Sequence, residues 1–165
     1  VNLGGALYIA DTGFGGNVLT APLRLEPHVE QPTPHEPHRL LPIENGFVLE
    51  ASLGGQWMAL YRFTLEPQFP SDYEVSNWYL CQHPSSFFRQ ILMAARVTPD
   101  GRYALRDNRL AILGKNGTEK RTLADGAALR ASLENDFGLR LPDSPELDSM
   151  IERVSQTPAE SAPAT

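Results

Sequence analysis

The chain has 165 residues, of which 41% are hydrophobic and 21% charged, and its formal net charge is -6 at pH 7. The negative charge argues against a general nucleic-acid surface, because phosphates require a basic patch, and no apolar run approaches the ~20 residues of a membrane span. We therefore predict a soluble globular protein, of one domain or two small ones, without nucleic-acid or membrane partners.

The chain opens on Val1, and its first residues have the pattern of the middle of a hairpin, with a turn over Asn2–Gly5 followed by a strand. A start inside a hairpin suggests that the chain is the C-terminal piece of a longer protein.

Residues 1–70 have the pattern of a β domain. Side chains in Trp57–Leu65 alternate with a period of two, which predicts a strand that places Trp57, Tyr61 and Phe63 on one face. Several short strands of this kind predict a small barrel or sandwich. The predicted strands are Ala6–Ala10, Thr20–Leu25, His38–Pro42, Gly46–Ala51 and Trp57–Leu65.

A helix is predicted over Asp72–His83. Ser71 and Glu74 have the spacing of a capping box at its start, and Pro84 ends it because proline cannot continue a helix. A short helical turn that carries Phe87–Phe88 is expected next.

The lone cysteine, Cys81, excludes an internal disulfide framework and indicates a reducing compartment such as the cytoplasm. His83 lies two residues further along the predicted helix, and residues at that spacing point to different sides. We therefore predict that Cys81 is a partly buried small side chain and not a nucleophile. Only four histidines are present, three of them in a proline-rich loop, so no metal site is predicted.

Residues 91–165 have an α+β pattern. Asn116–Gly117 predicts a hairpin turn, and a helix that opens near Thr122–Asp125 should run to Phe137. Ser144–Pro145 predicts the start of another helix, and from Ser155 the chain becomes a tail of disordered composition. The predicted strands are Ile91–Val97, Gly101–Asn108 and Arg109–Gly114.

The segment DTGFGG, which begins at Asp11, is the first candidate for chemistry. It is not a dinucleotide fingerprint, because Val18 takes the place of the third glycine and the residues after it read as β; nor does it have the lysine of a Walker loop. Two interpretations stay open. Asp11 forms an Asx turn with the backbone of Gly13, or it orients a histidine ring that a preceding strand would supply.

Several blocks carry a family likeness. The segment YIADTGFGGNVLTAPLRL resembles the DVGFGG…APLRL segment of the arylamine N-acetyltransferases, and further blocks match in the same order, together covering about residues 1–140. The later matching blocks are Glu30–Leu40, Trp57–Pro67, Asp72–Phe88 and the stretch AARVTPDGRYAL.

The resemblance implies an α+β fold that is a fragment of a three-domain, cysteine-protease-like architecture. Residues 1–70 would be a small antiparallel β-barrel whose start is missing, 71–90 an interdomain helical segment, 91–154 an α/β lid and 155–165 a disordered tail. The N-terminal helical domain of the family, which holds the nucleophilic cysteine, would precede this chain and act as its partner.

The resemblance also implies ping-pong acetyl transfer from acetyl-CoA to an arylamine or hydrazine, without a metal, in cytoplasmic xenobiotic metabolism. Asp11 would be the third member of a Cys-His-Asp triad. Phe14 and Phe88 (or else Phe87) would line the acceptor pocket, and Gly15–Gly16 would leave room for the pantetheine arm or the acceptor.

The chain contains neither the nucleophilic cysteine, which the family carries in an R-G-G-x-C motif of its N-terminal helical domain, nor the family's triad histidine. The resemblance therefore implies that the chain is inactive alone. Two other functions remain open from the residues. One is a related amide synthase that forms macrolactams with the same triad, and the other is a non-catalytic β-barrel binding module.

Overall fold

The computed structural model describes residues 1–114 and 117–158. The chain divides after Tyr73 into two compact units, each described here by itself. Within the described residues the fold is α+β, with three antiparallel sheets and four helices.

The first unit is built from six strands. One sheet has the order β1 (Asn2–Leu3), β2 (Ala6–Ile9), β3 (Leu23–Arg24), and the other has the order β4 (His38–Ile43), β5 (Gly46–Leu53), β6 (Gln56–Phe63). Among the described residues the strand pairings leave these as two three-stranded sheets, so the closed barrel stays a prediction.

Strand β3 is shorter than the sequence suggested. The predicted strand covered Thr20–Leu25, whereas the observed ladder starts at Leu23. Pro22 has no N–H to donate, which explains why the ladder begins only after it.

Strand β6 contains a β-bulge. Leu49 of β5 pairs with Tyr61, and the next residue of β5, Glu50, pairs with Ala59, so that Leu60 is extra. An extra residue breaks the period of two. Trp57 therefore lies on the same side as Glu50 and Arg39, where it contacts the Arg39 guanidinium at 4.2 Å, and the prediction that it shares a face with Tyr61 is wrong.

The core of the first unit lies under both sheets. Its centre is fully or almost fully buried, and half-buried side chains from β2, β5 and β6 pack around that centre. The buried members are Leu19, Leu23, Leu40 and Leu49, and the half-buried ones include Ile9, Phe47, Leu60, Tyr61 and Phe63.

The helix α1 (Pro70–Gln82) begins two residues earlier than predicted. Its start is fixed by the Asp72 carboxylate, which accepts a hydrogen bond from the Phe69 backbone N–H at 2.9 Å. Pro70 is then the first helical residue, where proline is favoured, and Asp72 is the third, where an acid reaches back to the cap. The capping contact at the start of α1 therefore joins Phe69 and Asp72, and not Ser71 and Glu74 as predicted.

The rest of the second unit is a sheet with helices. Its strands pair in the order β10 (Gly117–Thr122), β9 (Arg109–Gly114), β8 (Gly101–Arg106), β7 (Met93–Thr98), and its helices are α2 (Phe87–Gln90), α3 (Gly126–Asn135) and α4 (Pro145–Ser155). The sequence did not predict β10. Of the predicted turn before it, Asn116 lies outside the described residues.

Helices α3 and α4 begin directly after Asp125 and Ser144, the residues from which the sequence predicted their starts. Asp125 accepts a hydrogen bond from the Ala128 N–H at 2.8 Å, and Ser144 caps α4. Their apolar sides pack on β8 and β9 around buried Leu129, Leu133, Phe137, Leu105, Leu110 and Ile151. Helix α4 extends through Ser155, whose carbonyl accepts from Asn108 at 2.8 Å, and residues 159–165 lie outside the described part of the chain.

Candidate functional site

Asp11 follows β2, at the start of the glycine-rich loop of the first unit. Its Oδ1 accepts a hydrogen bond from the Gly13 backbone N–H at 2.8 Å. This is the Asx turn that the sequence left as one interpretation. The loop therefore holds one oxygen of the carboxylate through a contact two residues away.

The second oxygen of Asp11 is held from the sheet. The Tyr61 hydroxyl donates to Oδ2 at 2.8 Å, across 50 residues of sequence. Tyr61 lies on the inner side of β6 because the bulge at Leu60 shifts the register just before it. The Asp11 carboxylate therefore has one anchor in its loop and one in the packed sheet.

Burial raises the pKa of the Tyr61 phenol, and the hydrogen bond to Asp11 and the negative charge of that carboxylate raise it further. The ordinary value is 10.0. The phenol consequently stays protonated at neutral pH and remains a hydrogen-bond donor. The raised pKa also means that the protonated phenol stabilises the folded chain. This contribution to the free energy of unfolding is complete below the ordinary pKa of tyrosine and is lost only as the pH rises above it.

The two bound oxygens fix the plane of the Asp11 carboxylate. A carboxylate has about four acceptor sites, so the contacts from Gly13 and Tyr61 leave capacity for a further donor. Asp11 is only partly buried. The arrangement is chemically able to hold and orient an N–H group, such as that of an imidazole ring.

Phe14 lies against the same tyrosine. The Phe14 and Tyr61 ring centroids are 4.9 Å apart with an interplanar angle of 46°. Phe14 nevertheless keeps 40% of its surface exposed. Asp11, Tyr61 and Phe14 thus form one contiguous cluster in the first unit, which we call the Asp11 cluster.

The two glycines after Phe14 border the Asp11 cluster in sequence. Gly15 has a φ of 91°, a conformation that side chains with a Cβ rarely adopt. A Cβ built at Gly15 would meet no heavy atom within 4 Å, so open space lies beside the backbone at this position. Gly16 is partly buried in the turn that follows.

Phe88 belongs to the second unit, in the short helix α2. It is 62% exposed, and its ring meets the Phe87 ring edge-on with centroids 6.0 Å apart. Phe87 also lies 5.6 Å from the Arg106 guanidinium. Both phenylalanines therefore present apolar surface, and the choice of Phe88 as the pocket residue stays a prediction.

Cys81 is exposed on α1, whereas the sequence predicted a partly buried side chain. Its thiol donates to the Asn77 Oδ1 at 3.3 Å, one turn back on the helix. The Nδ1 of nearby His83 instead lies 2.7 Å from the Ser85 hydroxyl. The expectation that Cys81 is a partly buried small side chain was wrong, because no residue of α1 is buried among the described residues.

Within residues 1–114 and 117–158, no group of three or more histidine, cysteine, aspartate or glutamate side chains is arranged to hold a metal ion. The helices of the same residues are too short or too polar to cross a membrane.

Tyr61 is the member of the Asp11 cluster that the sequence did not reveal. Its alternating neighbours predicted a strand and a core face. No local pattern marks the partner of a hydroxyl group that lies 50 residues away in the chain. Only the pairing of β5 with β6 and the bulge at Leu60 bring the two side chains together.

Comparisons with known proteins match the chain to a family. A family model described as N-acetyltransferase matches residues 1–145. The arylamine N-acetyltransferase of Mycobacterium tuberculosis (strain ATCC 25618 / H37Rv) is 41% identical over 152 residues, which make up 92% of this chain and 54% of that relative.

Solved structures agree with this match. The arylamine N-acetyltransferase structure from M. tuberculosis gives a TM-score of 0.84 at 41% identity, covering 88% of this chain and 55% of that one. The Mycobacterium marinum arylamine N-acetyltransferase in complex with CoA gives 0.84 at 40% identity, over 89% of this chain and 55% of that one.

The chain spans about half the length of the curated relatives it matches. The family model nevertheless covers most of its residues, and the blocks that resembled the family lie within the matched range. The chain belongs to the arylamine N-acetyltransferase family.

Proposed function

We propose that this chain is the C-terminal part of an arylamine N-acetyltransferase, which moves an acetyl group from acetyl-CoA to an arylamine or hydrazine. The observation that carries the proposal is the Asp11 carboxylate, held at both oxygens beside an exposed aromatic ring. The CoA complex of the M. marinum relative supports acetyl-CoA as the donor. The cytoplasm and xenobiotic metabolism belong to the same proposal.

The reaction would proceed in two steps. A cysteine thiolate attacks the thioester carbonyl of acetyl-CoA, the bond to the CoA sulfur breaks, and CoA leaves as the thiol after it takes up a proton. The amine of the acceptor then attacks the acetyl-cysteine, loses a proton and releases the cysteine. A histidine would carry both protons, and Asp11 would hold that imidazole in the correct tautomer and stabilise its charged form.

Phe14 and Phe88 would line the acceptor site, since aromatic rings favour a planar apolar acceptor. Gly15–Gly16 would admit the pantetheine arm or the acceptor, which the open space beside Gly15 supports. The barrel, interdomain segment, lid and tail assigned to 1–70, 71–90, 91–154 and 155–165 are part of the same proposal.

The cysteine would come from a helical domain that precedes Val1, and the histidine from the barrel strand just before Val1. The extent of the match, about half of each relative, supports this. Helix α1 supports it too, because none of its residues is buried although it carries Trp78, Tyr79 and Leu80. The chain alone would then be inactive, since an orienting carboxylate cannot replace a nucleophile.

The test is an assay of free CoA thiol with the intact protein, including the segment that precedes Val1 in its gene. Acetyl-CoA and an arylamine should give steady release, and Asp11→Asn should lower kcat by about 10⁴-fold, as the same change in a serine triad does. The 165-residue chain should release none. Asp143→Asn, at an exposed position of the second unit, is the matched control and should keep full activity.

Other outcomes separate the remaining functions. A preceding sequence without an R-G-G-x-C motif and a histidine would rule out the enzyme and leave the binding module. A protein that carries both but acylates no arylamine, and instead closes a tethered amine onto its own acyl chain, would be the amide synthase.

A further inference from the structure

Tyr61 makes two contacts through two different parts of its side chain. Its hydroxyl donates to Asp11 Oδ2 at 2.8 Å, and its ring lies 4.9 Å from that of Phe14. The ring also packs 6.2 Å from Phe63, within the core of the first unit. One rigid side chain therefore touches the carboxylate and the exposed aromatic ring at once.

The other support of Asp11 is local. Gly13 belongs to the same loop, so its N–H moves with the carboxylate that it binds. Tyr61 instead extends from β6, whose ladder to β5 is continuous from Tyr61 to Phe63. The Tyr61 hydroxyl is therefore the contact that ties the orientation of Asp11 to the folded sheet.

We propose that Tyr61 is a positioning residue that couples Phe14 to the carboxylate of Asp11. This rests on the proposed function, in which Asp11 orients a histidine and Phe14 meets the acceptor. An acceptor that binds against Phe14 thereby acts, through the Phe14 ring, on the tyrosine that holds the triad carboxylate. Acceptor binding and proton transfer then both depend on Tyr61.

Physical chemistry gives the direction of each effect. A hydrogen bond to an ionised group is shorter and stronger than one between neutral groups. Removing the Tyr61 hydroxyl takes away such a bond and, among the contacts of the described residues, leaves the Asp11 carboxylate its loop contact with Gly13. Removing the Phe14 ring takes away a packing partner that lies 4.9 Å from the Tyr61 ring. The tyrosine then samples positions in which its hydroxyl is no longer on Asp11.

The decisive experiment is a double-mutant cycle in the intact protein, with CoA release as the readout. Tyr61→Phe should lower kcat about tenfold and leave KM for the arylamine unchanged, which is the lower end of what a hydrogen bond to a charged group contributes. Phe14→Leu should raise that KM and also lower kcat. In the Tyr61→Phe background, Phe14→Leu should still raise KM but lower kcat no further.

The matched control is Tyr103→Phe. Tyr103 is also half-buried and meets a phenylalanine ring, that of Phe137, with centroids 6.4 Å apart. It lies in the second unit and should leave both constants unchanged. A purely structural role of Tyr61 would shift the unfolding midpoint without making the effect of Phe14→Leu on kcat depend on the background.

The coupling is overturned if Phe14→Leu lowers kcat by the same factor in both backgrounds, or if Tyr61→Phe keeps the full kcat. A wild-type protein that releases no CoA would refute the proposed function instead. In that event the coupling is decided on the 165-residue chain by NMR of the Tyr61 hydroxyl proton. Phe14→Leu should speed its exchange with water severalfold, and an unchanged exchange rate would overturn the coupling.

Discussion

Gly15 is the residue whose backbone conformation the loop beside Asp11 depends on most directly. At a φ of 91° a Cβ is strained whatever space surrounds it. We expect Gly15→Ala to lower the free energy of unfolding of the chain by about 1–2 kcal/mol, measured by urea denaturation.

Gly13→Ala is the comparison for this change. It lies in the same loop, and a Cβ there would meet only Asp11 Oδ1, at an ordinary distance of 3.8 Å. It should cost clearly less than Gly15→Ala. Equal losses for the two variants would mean that loss of glycine as such, and not the left-handed conformation, sets the cost.

At the residue scale the sequence revealed the loop but not its anchor. Asp11, Phe14 and the glycines form a compact motif, so their proximity could be predicted directly. Tyr61 could not be predicted as their partner, because the contact depends on the register of β6. A bulge moves every later side chain of a strand to the opposite face, and the residues around Leu60 give no local sign of it.

At the scale of elements, the start of α3 rests on a single side chain. Asp125 Oδ1 accepts from the Ala128 N–H at 2.8 Å, which satisfies one of the free donors of the first turn. We expect Asp125→Ala to lower the free energy of unfolding by about 1 kcal/mol, measured as the shift of the urea midpoint at constant m-value.

Asp125→Asn keeps an acceptor at the same place and should retain most of the stability. Its loss relative to wild type would then report only the charge near the helix N-terminus. If both variants were equally destabilised, the cap hydrogen bond would not be the source of the effect.

Helices with caps were predictable, and the edge strand was not. Asp125 and Ser144 lie next to the turns that they begin, so local chemistry fixes α3 and α4. Strand β10 is exposed along its whole length and polar, so it has no apolar alternation that would reveal it. Its existence depends on pairing with β9.

At the scale of the whole molecule, α1 is a long helix whose apolar surface the described residues leave uncovered. It has 13 residues and none is buried, whereas α3 buries Leu129 and Leu133. Helix stability in proteins comes mostly from such packing. We expect the amide hydrogens of α1 to exchange at least tenfold faster than those of α3 in the isolated chain, measured by hydrogen exchange with mass spectrometry.

The intact protein provides the contrast. If the preceding domain covers α1, as proposed, exchange in α1 should slow markedly there while exchange in α3 stays the same. Trp78, now 57% exposed, should also shift its fluorescence to the blue. Unchanged exchange in α1 would contradict the proposed partner without touching the chemistry of Asp11.

Composition and patterning predicted the α+β class and the strand-rich first unit, because these depend on averages over many residues. The closure of a barrel depends on pairings between strands that are distant in sequence, and no local periodicity encodes it. The exposure of Cys81 was mispredicted for a related reason. Its type suggested partial burial, but none of the residues of its helix is buried in the part of the chain that the structure describes.

Strand β10, at the exposed edge of the four-stranded sheet in the second unit, has a consequence for self-association. An edge strand offers unpaired backbone groups to other chains, and charged side chains are a common defence against such pairing. Strand β10 carries Glu119, Lys120 and Arg121 in succession, with Glu119 and Arg121 in contact at 2.6 Å. Because salt screens exposed charges, concentrated protein should be least prone to fibrous aggregation through this edge in low-salt buffers.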